Sequence, residues 1–225
     1  MSATFETDAE FVNSFRDLLK GQRYEKVVLS ILNRSTKFID NKPLRRVEQQ
    51  SHGECDFIDQ AGAKYDVKLV LAKKQGALLG EKKNSPTCWF KAMLDESTEF
   101  SHCMQEENPK SIEETMLYSV MRERIHGINP DEIAILIIPF PIVDDVKSAA
   151  FLAFATDFLQ VVYNKLKENN LVKCNGVYFL YPGTNSNTMV LRNGDTNIRE
   201  YIDSNELSEY IVYRSKLISL DDHHH

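Results

Sequence analysis

The sequence predicts a mixed α/β fold in which helices flank one central mixed sheet. Segments with apolar residues at helical spacing are interleaved with short segments in which apolar and polar residues alternate. One further segment, 132–140, is apolar and β-branched throughout, which is typical of a strand buried on both faces. The order α-α-β-β-β-α-α-β-α-β-β-β indicates a single domain over residues 1–225, with a core at about 20–140 and a strand-rich C-terminal elaboration at about 141–222.

Each element is predicted from its local pattern. Capping boxes, in which Thr or Ser is followed three residues later by Glu, predict helices that begin at Thr7 and at Ser111. The turn-forming run 59–63 predicts a hairpin between two strands. The predicted helices run from residue 7 to the break at Gly21 and over 22–38, 87–103, 111–126 and 146–168, and the predicted strands are 44–50, 54–59, 64–71, 132–140, 177–181, 188–192 and 210–217.

Composition and targeting signals restrict the class of protein. The N-terminus lacks the basic and apolar regions of a secretory signal, and the longest apolar stretch, 133–143, is too short to cross a bilayer. The four cysteines form no CxxC pair and are expected to be reduced thiols. We therefore expect a cytoplasmic protein without a membrane segment. The histidines at 223–225 have the form of a purification tag and carry no metal argument.

The charge is distributed unevenly along the chain. A formal net charge of −6 argues against a protein that coats nucleic acid through a broad cationic surface. However, seven lysines and only two acids occupy residues 64–91, and five basic residues oppose one acid in residues 34–46. These two segments bracket the predicted hairpin, so the acidic average is compatible with one local basic cleft. The lysines expected to contact nucleic acid are Lys73, Lys74, Lys82 and Lys83.

Acids and a lysine gather on one face of the predicted hairpin. Alternation places Glu54 and Asp56 on one face of the first strand, and Asp66 and Lys68 on one face of the second. If the apolar residues between them pack inward, these four side chains form one cluster. Carboxylates grouped in this way suit Mg²⁺, or Mn²⁺ in its place, which would activate water at a phosphorus centre. A nearby ammonium can orient that water or stabilise developing negative charge.

This arrangement resembles the PD-(D/E)xK nuclease superfamily, which has the restriction-endonuclease-like fold. The family pattern is an Asp on one strand and (D/E)xK on the adjacent strand. Here Asp56 matches the first Asp, and residues 66–68 (Asp-Val-Lys) match the second element. Cys55 departs from the pattern, because it stands where the motif has proline. The resemblance covers about residues 20–140 and includes the order of a helix, a three-stranded meander, a helix and another strand.

The resemblance implies roles for individual residues. Asp56 and Asp66 would be metal ligands, and Val67 would add its backbone carbonyl. Lys68 would be the catalytic lysine. Many members carry a further acid on the preceding helix, and Glu25 is the candidate because it borders the apolar stripe of that helix. The candidate catalytic residues are therefore Asp56, Asp66, Lys68 and Glu25, with Glu54 as an additional acid.

The function implied by the resemblance is a Mg²⁺-dependent endonuclease that hydrolyses DNA phosphodiester bonds. We expect a homodimer if the enzyme cuts both strands, and restriction or phage defence as its context in preference to DNA repair. A partner protein or complex stays open. Two alternative functions also stay open. One is a catalytically inactive nuclease-fold module that binds nucleic acid or a partner protein, and the other is an RNA-directed or nucleotide-directed hydrolase with the same carboxylates.

Overall fold

In the residues that the structure describes, the fold is mixed α/β and is built on one seven-stranded sheet, which confirms the predicted class. The predicted helix at 87–103 and the predicted strand at 210–217 lie outside the residues that the structure describes. The computed structural model describes residues 7, 9–10, 13–14, 22–47, 54–70, 111–138, 149–183 and 188–203.

The seven strands lie side by side in the order in which they follow along the chain. They are β1 (Arg45–Arg46), β2 (Phe57–Ile58), β3 (Lys64–Leu69), β4 (Glu132–Ile137), β5 (Gly176–Pro182), β6 (Thr188–Asn193) and β7 (Arg199–Asp203). β1, β2 and β3 form an antiparallel meander, and β4 and β5 continue the sheet in the direction of β3. β6 and β7 are again antiparallel to their neighbours. The strands beyond residue 141 therefore extend the same sheet.

Helices cover both faces of this sheet. The described α-helices are α1 (Gln22–Arg34), α2 (Met116–His126) and α3 (Ala149–Glu168), and a 3₁₀ turn covers Ile112–Glu114. α1 packs on one face, the α1 face, where its Ile31 and Leu32 share a buried cluster with Ile135 of β4. α2 and α3 pack on the opposite face, the α2–α3 face, where Met121 and Leu136 belong to a second cluster. The adjacent residues of β4 thus lie in different clusters, as expected for a strand buried on both faces.

The predicted end of α1 at residue 38 is wrong, because the helix ends at Arg34. The residues that follow it make tertiary contacts instead of continuing the helix. The Ser35 and Thr36 hydroxyls donate hydrogen bonds of 2.6 and 2.8 Å to the carboxylate of Glu200 in β7. β7 itself was not among the predicted strands, because a short strand with charged residues gives little periodic signal.

The two predicted capping boxes have different outcomes. At residues 7–10 the box is confirmed, since the Thr7 hydroxyl accepts from the Glu10 N–H and the Glu10 carboxylate accepts from the Thr7 N–H. At Ser111 the side chain makes no capping hydrogen bond, and only the 3₁₀ turn follows. α2 begins after Thr115, whose hydroxyl accepts from the backbone N–H of Tyr118. None of the helices in the described ranges has the length and apolar character that crossing a membrane requires.

Candidate metal centre

The turn between β2 and β3 is fixed by one buried carboxylate. Oδ1 of Asp59 accepts hydrogen bonds from the backbone N–H groups of Ala61 and Ala63, at 2.9 and 2.8 Å. Gly62 adopts a φ of +88°, a left-handed conformation that glycine enters without a steric penalty. These local interactions determine which residues of β2 and β3 oppose each other, as the turn-forming residues of the sequence predict.

The register of this hairpin brings Asp56 next to Asp66. Phe57 pairs with Tyr65, so that Asp56 comes opposite Asp66 one position further along the two strands. The backbone N–H of Asp56 donates to the Tyr65 carbonyl at 2.9 Å. Oδ2 of the Asp56 carboxylate accepts from the backbone N–H of Val67 at 2.7 Å. The Asp56 side chain therefore takes a position on the edge of β3 that is defined by the backbone.

Lys68 completes the group. Its Nζ lies 2.7 Å from Oδ1 of Asp66, and the Asp66 side chain is 7% exposed while that of Lys68 is 34% exposed. The pKa of Asp66 is raised to about 6, mainly by burial. Lys68 opposes this rise, whereas a hydrogen bond with Asp56 and the negative charge of Asp56 add to it. The carboxylates of Asp56 and Asp66 repel each other when both are ionised. A cation bound between them would remove this repulsion.

The backbone carbonyl of Val67 faces the same side of β3 as the Asp56 carboxylate. The N–H and C=O of one strand residue point to the same side, and the side alternates along the strand. Val70 donates its N–H to Ile137 of β4 at 2.8 Å, whereas Val67 donates its N–H to Asp56 on the β2 side. The carbonyl of Val67 therefore faces the edge of β3 where the Asp56 carboxylate lies.

Glu25 lies in a different environment from the two aspartates. Its Oε2 is 2.7 Å from a guanidinium nitrogen of Arg46 in β1. Arg46 opposes Phe57, whose ring is buried in the cluster on the α1 face. Tyr65 of β3 belongs to the same cluster on the α1 face. Asp66 is the next residue of the strand and therefore projects to the α2–α3 face. Glu25 therefore forms its ion pair with Arg46 on the α1 face, whereas Asp66 lies on the α2–α3 face.

Of the predicted site residues, the structure brings together Asp56, Asp66 and Lys68. Glu54 is exposed and precedes β2. In the ranges that the structure describes, no group of three or more His, Cys, Asp and Glu side chains is arranged to hold a metal ion. The predicted nucleic-acid contacts lie outside the described residues: Lys73, Lys74, Lys82 and Lys83.

Two features of the site do not follow from the sequence motif. The motif gives the residue types, but it does not show that the N–H of Val67 holds the Asp56 carboxylate. Cys55, which replaces the proline of the family pattern, is buried, and burial is the main cause that raises the pKa of its thiol. A protonated, buried thiol is a packing residue rather than a nucleophile.

Comparison with known proteins gives no family assignment. No protein-family model matches the sequence, and no curated protein or solved structure is significantly similar to the chain. The function must therefore be inferred from the chemistry of the site itself.

Proposed function

We propose that this protein is a cytoplasmic Mg²⁺-dependent endonuclease of the PD-(D/E)xK type that hydrolyses phosphodiester bonds of DNA. The observation that carries the proposal is the group formed by Asp56, Asp66 and Lys68 on one hairpin, with two carboxyl groups in hydrogen-bonding reach and an ammonium 2.7 Å from one of them. Restriction or phage defence is the context that we favour. A homodimer would allow both DNA strands to be cut.

The donor set fits a hard divalent cation. Mg²⁺ is usually bound in proteins by one or two carboxylates, with waters and substrate phosphates as the remaining ligands. Asp56 and Asp66 supply the two carboxylates, and Val67 supplies a carbonyl on the same edge of β3. Mn²⁺ accepts the same oxygen ligands. A third acid is therefore not required, and we assign Glu25 to the ion pair with Arg46.

The residues of the chain would divide the chemistry between them. When bound, Mg²⁺ would lower the pKa of a water molecule and neutralise charge on the phosphate. The Val67 N–H fixes the orientation of the Asp56 carboxylate, so that this ligand is held before the substrate arrives. The Lys68 ammonium is partly exposed, and from its position on Asp66 it can donate a hydrogen bond to the attacking water or to a phosphate oxygen.

The arrangement of the strands supports the same proposal. In the described part of the chain, α1 is followed by the antiparallel meander β1 to β3, then by α2 and by β4, which pairs parallel to β3. This is the order that the family resemblance implies. Asp56 directly precedes β2 and Lys68 lies in β3, and these are the two strands that the resemblance assigns to the active site.

Plasmid cleavage with a matched pair of lysine variants tests the proposal. Wild-type protein, Lys68→Ala and Lys165→Ala would be incubated with supercoiled plasmid in Mg²⁺ and in EDTA. Lys165 is the control because its ammonium is also paired with a carboxylate, that of Glu113 at 3.2 Å, but on α3. We expect Mg²⁺-dependent cleavage by the wild type and by Lys165→Ala, and a loss of about 10²-fold or more in Lys68→Ala.

Other results would point to other functions. Equal cleavage by the wild type and Lys68→Ala would contradict the role of Lys68. Binding of DNA without cleavage in either Mg²⁺ or Mn²⁺ would favour the catalytically inactive module. Cleavage of single-stranded RNA in preference to duplex DNA would move the proposal to the RNA-directed nuclease. Nicking without linear product would argue against a homodimer that cuts both strands.

A further inference from the structure

Two adjacent arginines on the edge of the sheet have different surroundings. Arg46 opposes Phe57 of β2 and lies 2.7 Å from Glu25 on the α1 face. Successive side chains of a strand project to opposite faces. Arg45 therefore projects to the face that carries Asp66, and its side chain is exposed. The sequence identified a basic segment at 34–46 but could not separate these two arginines.

Arg45 lies one row away from the candidate metal centre. It opposes Ile58 of β2, which opposes Lys64 of β3, so that these three residues form one row across the sheet. The next row on the same face contains Asp56 and Asp66. Rows on one face are two residues apart, about 6.6–6.8 Å. Arg45 is therefore a diagonal neighbour of Asp56, about 7–8 Å away, and Asp66 lies one strand further. Because long side chains reach across such a separation, Arg45 can contact a phosphate next to one held at the metal centre.

The charge of Arg45 is available to a ligand. On this face of the meander, Lys68 and Lys64 are each 2.7 Å from a carboxylate oxygen, of Asp66 and Asp131 respectively. Among the residues that the structure describes, none forms an ion pair with Arg45. A guanidinium presents several N–H donors in a planar fork that matches the oxygens of a phosphate.

We infer that Arg45 binds a backbone phosphate adjacent to the scissile one and so positions the nucleic-acid strand over Asp56 and Asp66. The inference rests on the proposed function, and it names the part of the substrate that the exposed edge of β1 recognises. Arg45 is a positioning residue. It contacts the backbone of the substrate, and its effect is therefore expected to be independent of base sequence.

Duplex DNA binding separates this inference from catalysis. Binding of a fluorescently labelled duplex would be measured by anisotropy in EDTA, so that the DNA stays intact, from about 50 to about 200 mM salt. The proteins compared are the wild type, Arg45→Ala, Arg45→Lys and Arg46→Ala. We expect Arg45→Ala to weaken binding about tenfold and to reduce the slope of log affinity against log salt by about 0.9. Arg45→Lys should restore the slope, and Arg46→Ala should keep wild-type affinity.

Thermal unfolding controls for folding defects. Arg45 is exposed, so that Arg45→Ala should keep the thermal unfolding midpoint of the wild type. Wild-type affinity and slope in Arg45→Ala, an equal loss in Arg46→Ala, or no DNA binding by the wild type would each overturn the inference. If the wild type cuts plasmid but Arg45→Ala binds normally, the inference alone fails. If binding depends on Arg45 but no plasmid is cut, the inference stands and the proposed enzyme activity fails.

Discussion

Two strands of the sheet, β3 and β7, each bury a carboxylate, and the two carboxylates behave in opposite ways. Asp66 in β3 and Glu200 in β7 are both only 5% exposed to solvent. The pKa of Asp66 is nevertheless raised to about 6, whereas the pKa of Glu200 is lowered. Burial by itself disfavours the ionised form of both groups. The hydrogen-bond donors around Glu200 outweigh this effect, whereas the ammonium of Lys68 beside Asp66 does not.

Glu200 is surrounded by hydrogen-bond donors from the segment after α1. Its Oε2 accepts from the Ser35 hydroxyl at 2.6 Å and from the Lys37 N–H at 3.3 Å, and its Oε1 accepts from the Thr36 hydroxyl and N–H. Burial opposes the ionisation of Glu200, but these hydrogen bonds outweigh it and lower the pKa. Glu200 thus joins the segment after α1 to β7, the last strand in the described part of the sheet.

Asp66 has one ammonium and a second carboxylate as its neighbours. Lys68 is the favourable partner, and Asp56 is the unfavourable one. The comparison indicates that the Glu200 carboxylate stabilises the fold. The ionised form of Asp66, in contrast, is disfavoured in the folded protein. Groups held in this way are typical of functional sites, where stability and activity are in conflict.

The largest difference between the two carboxylates is expected in catalysis. Asp66→Asn removes a proposed metal ligand, and we expect it to lower Mg²⁺-dependent plasmid cleavage by about 10²–10³-fold or more. Glu200→Gln should keep the wild-type rate per folded molecule. Glu200 lies in β7, which is separated from the meander β1 to β3 by β4, β5 and β6. Initial rates at equal concentrations of folded protein measure both effects. Comparable losses in the two variants would contradict the division of roles.

For folding stability we expect the opposite order, with the loss in Glu200→Gln rather than in Asp66→Asn. Glu200→Gln replaces a charged acceptor among several donors, and we expect it to lower the free energy of unfolding by about 2–3 kcal/mol. Asp66→Asn removes the repulsion with Asp56, and we expect it to raise that free energy by about 1–2 kcal/mol in EDTA at neutral pH. Urea unfolding followed by circular dichroism measures both changes. A strongly destabilised Asp66→Asn protein would show that the charge of Asp66 supports the fold.

The pH dependence of stability gives a more specific test of Glu200. Its pKa in the folded protein lies below the ordinary value of 4.5, so that folding favours the ionised form. The stabilisation by Glu200 is therefore complete above that value and is lost as the pH falls through the folded pKa. We expect the stability difference between the wild type and Glu200→Gln to shrink from neutral pH to about pH 3. A difference that is constant with pH would mean that Glu200 acts through packing rather than through charge.

The smallest effect is expected from the exposed pair beside the candidate site. Lys64 and Asp131 are 2.7 Å apart, but their side chains are 44% and 65% exposed. Because water and salt screen such pairs, we expect Lys64→Met to leave the free energy of unfolding close to that of the wild type. The same urea experiment measures it. A substantial loss would indicate that the hairpin depends on this charge pair for its stability.

The sequence predicts the Asp66 region better than the Glu200 region, and the reason is the distance along the chain. Asp56 and Lys68 lie on two strands joined by a turn, so that alternation and the turn residues are enough to bring them together. Glu200 and Ser35 are 165 residues apart, and no local pattern indicates their contact. The position of Glu25 on the α1 face depends in the same way on its partner Arg46, which the motif does not specify.

Direct measurement of metal binding is the sharpest test of the claim that Asp56 and Asp66 form a cation site. Isothermal titration calorimetry with Mn²⁺ would compare the wild type, Asp66→Asn and Glu200→Gln, with Mg²⁺ as a competitor. We predict one Mn²⁺ site per chain in the wild type and in Glu200→Gln, displaced by Mg²⁺, and loss of that site in Asp66→Asn. Wild-type affinity in Asp66→Asn, or no binding by the wild-type protein, would contradict the assignment of the metal centre.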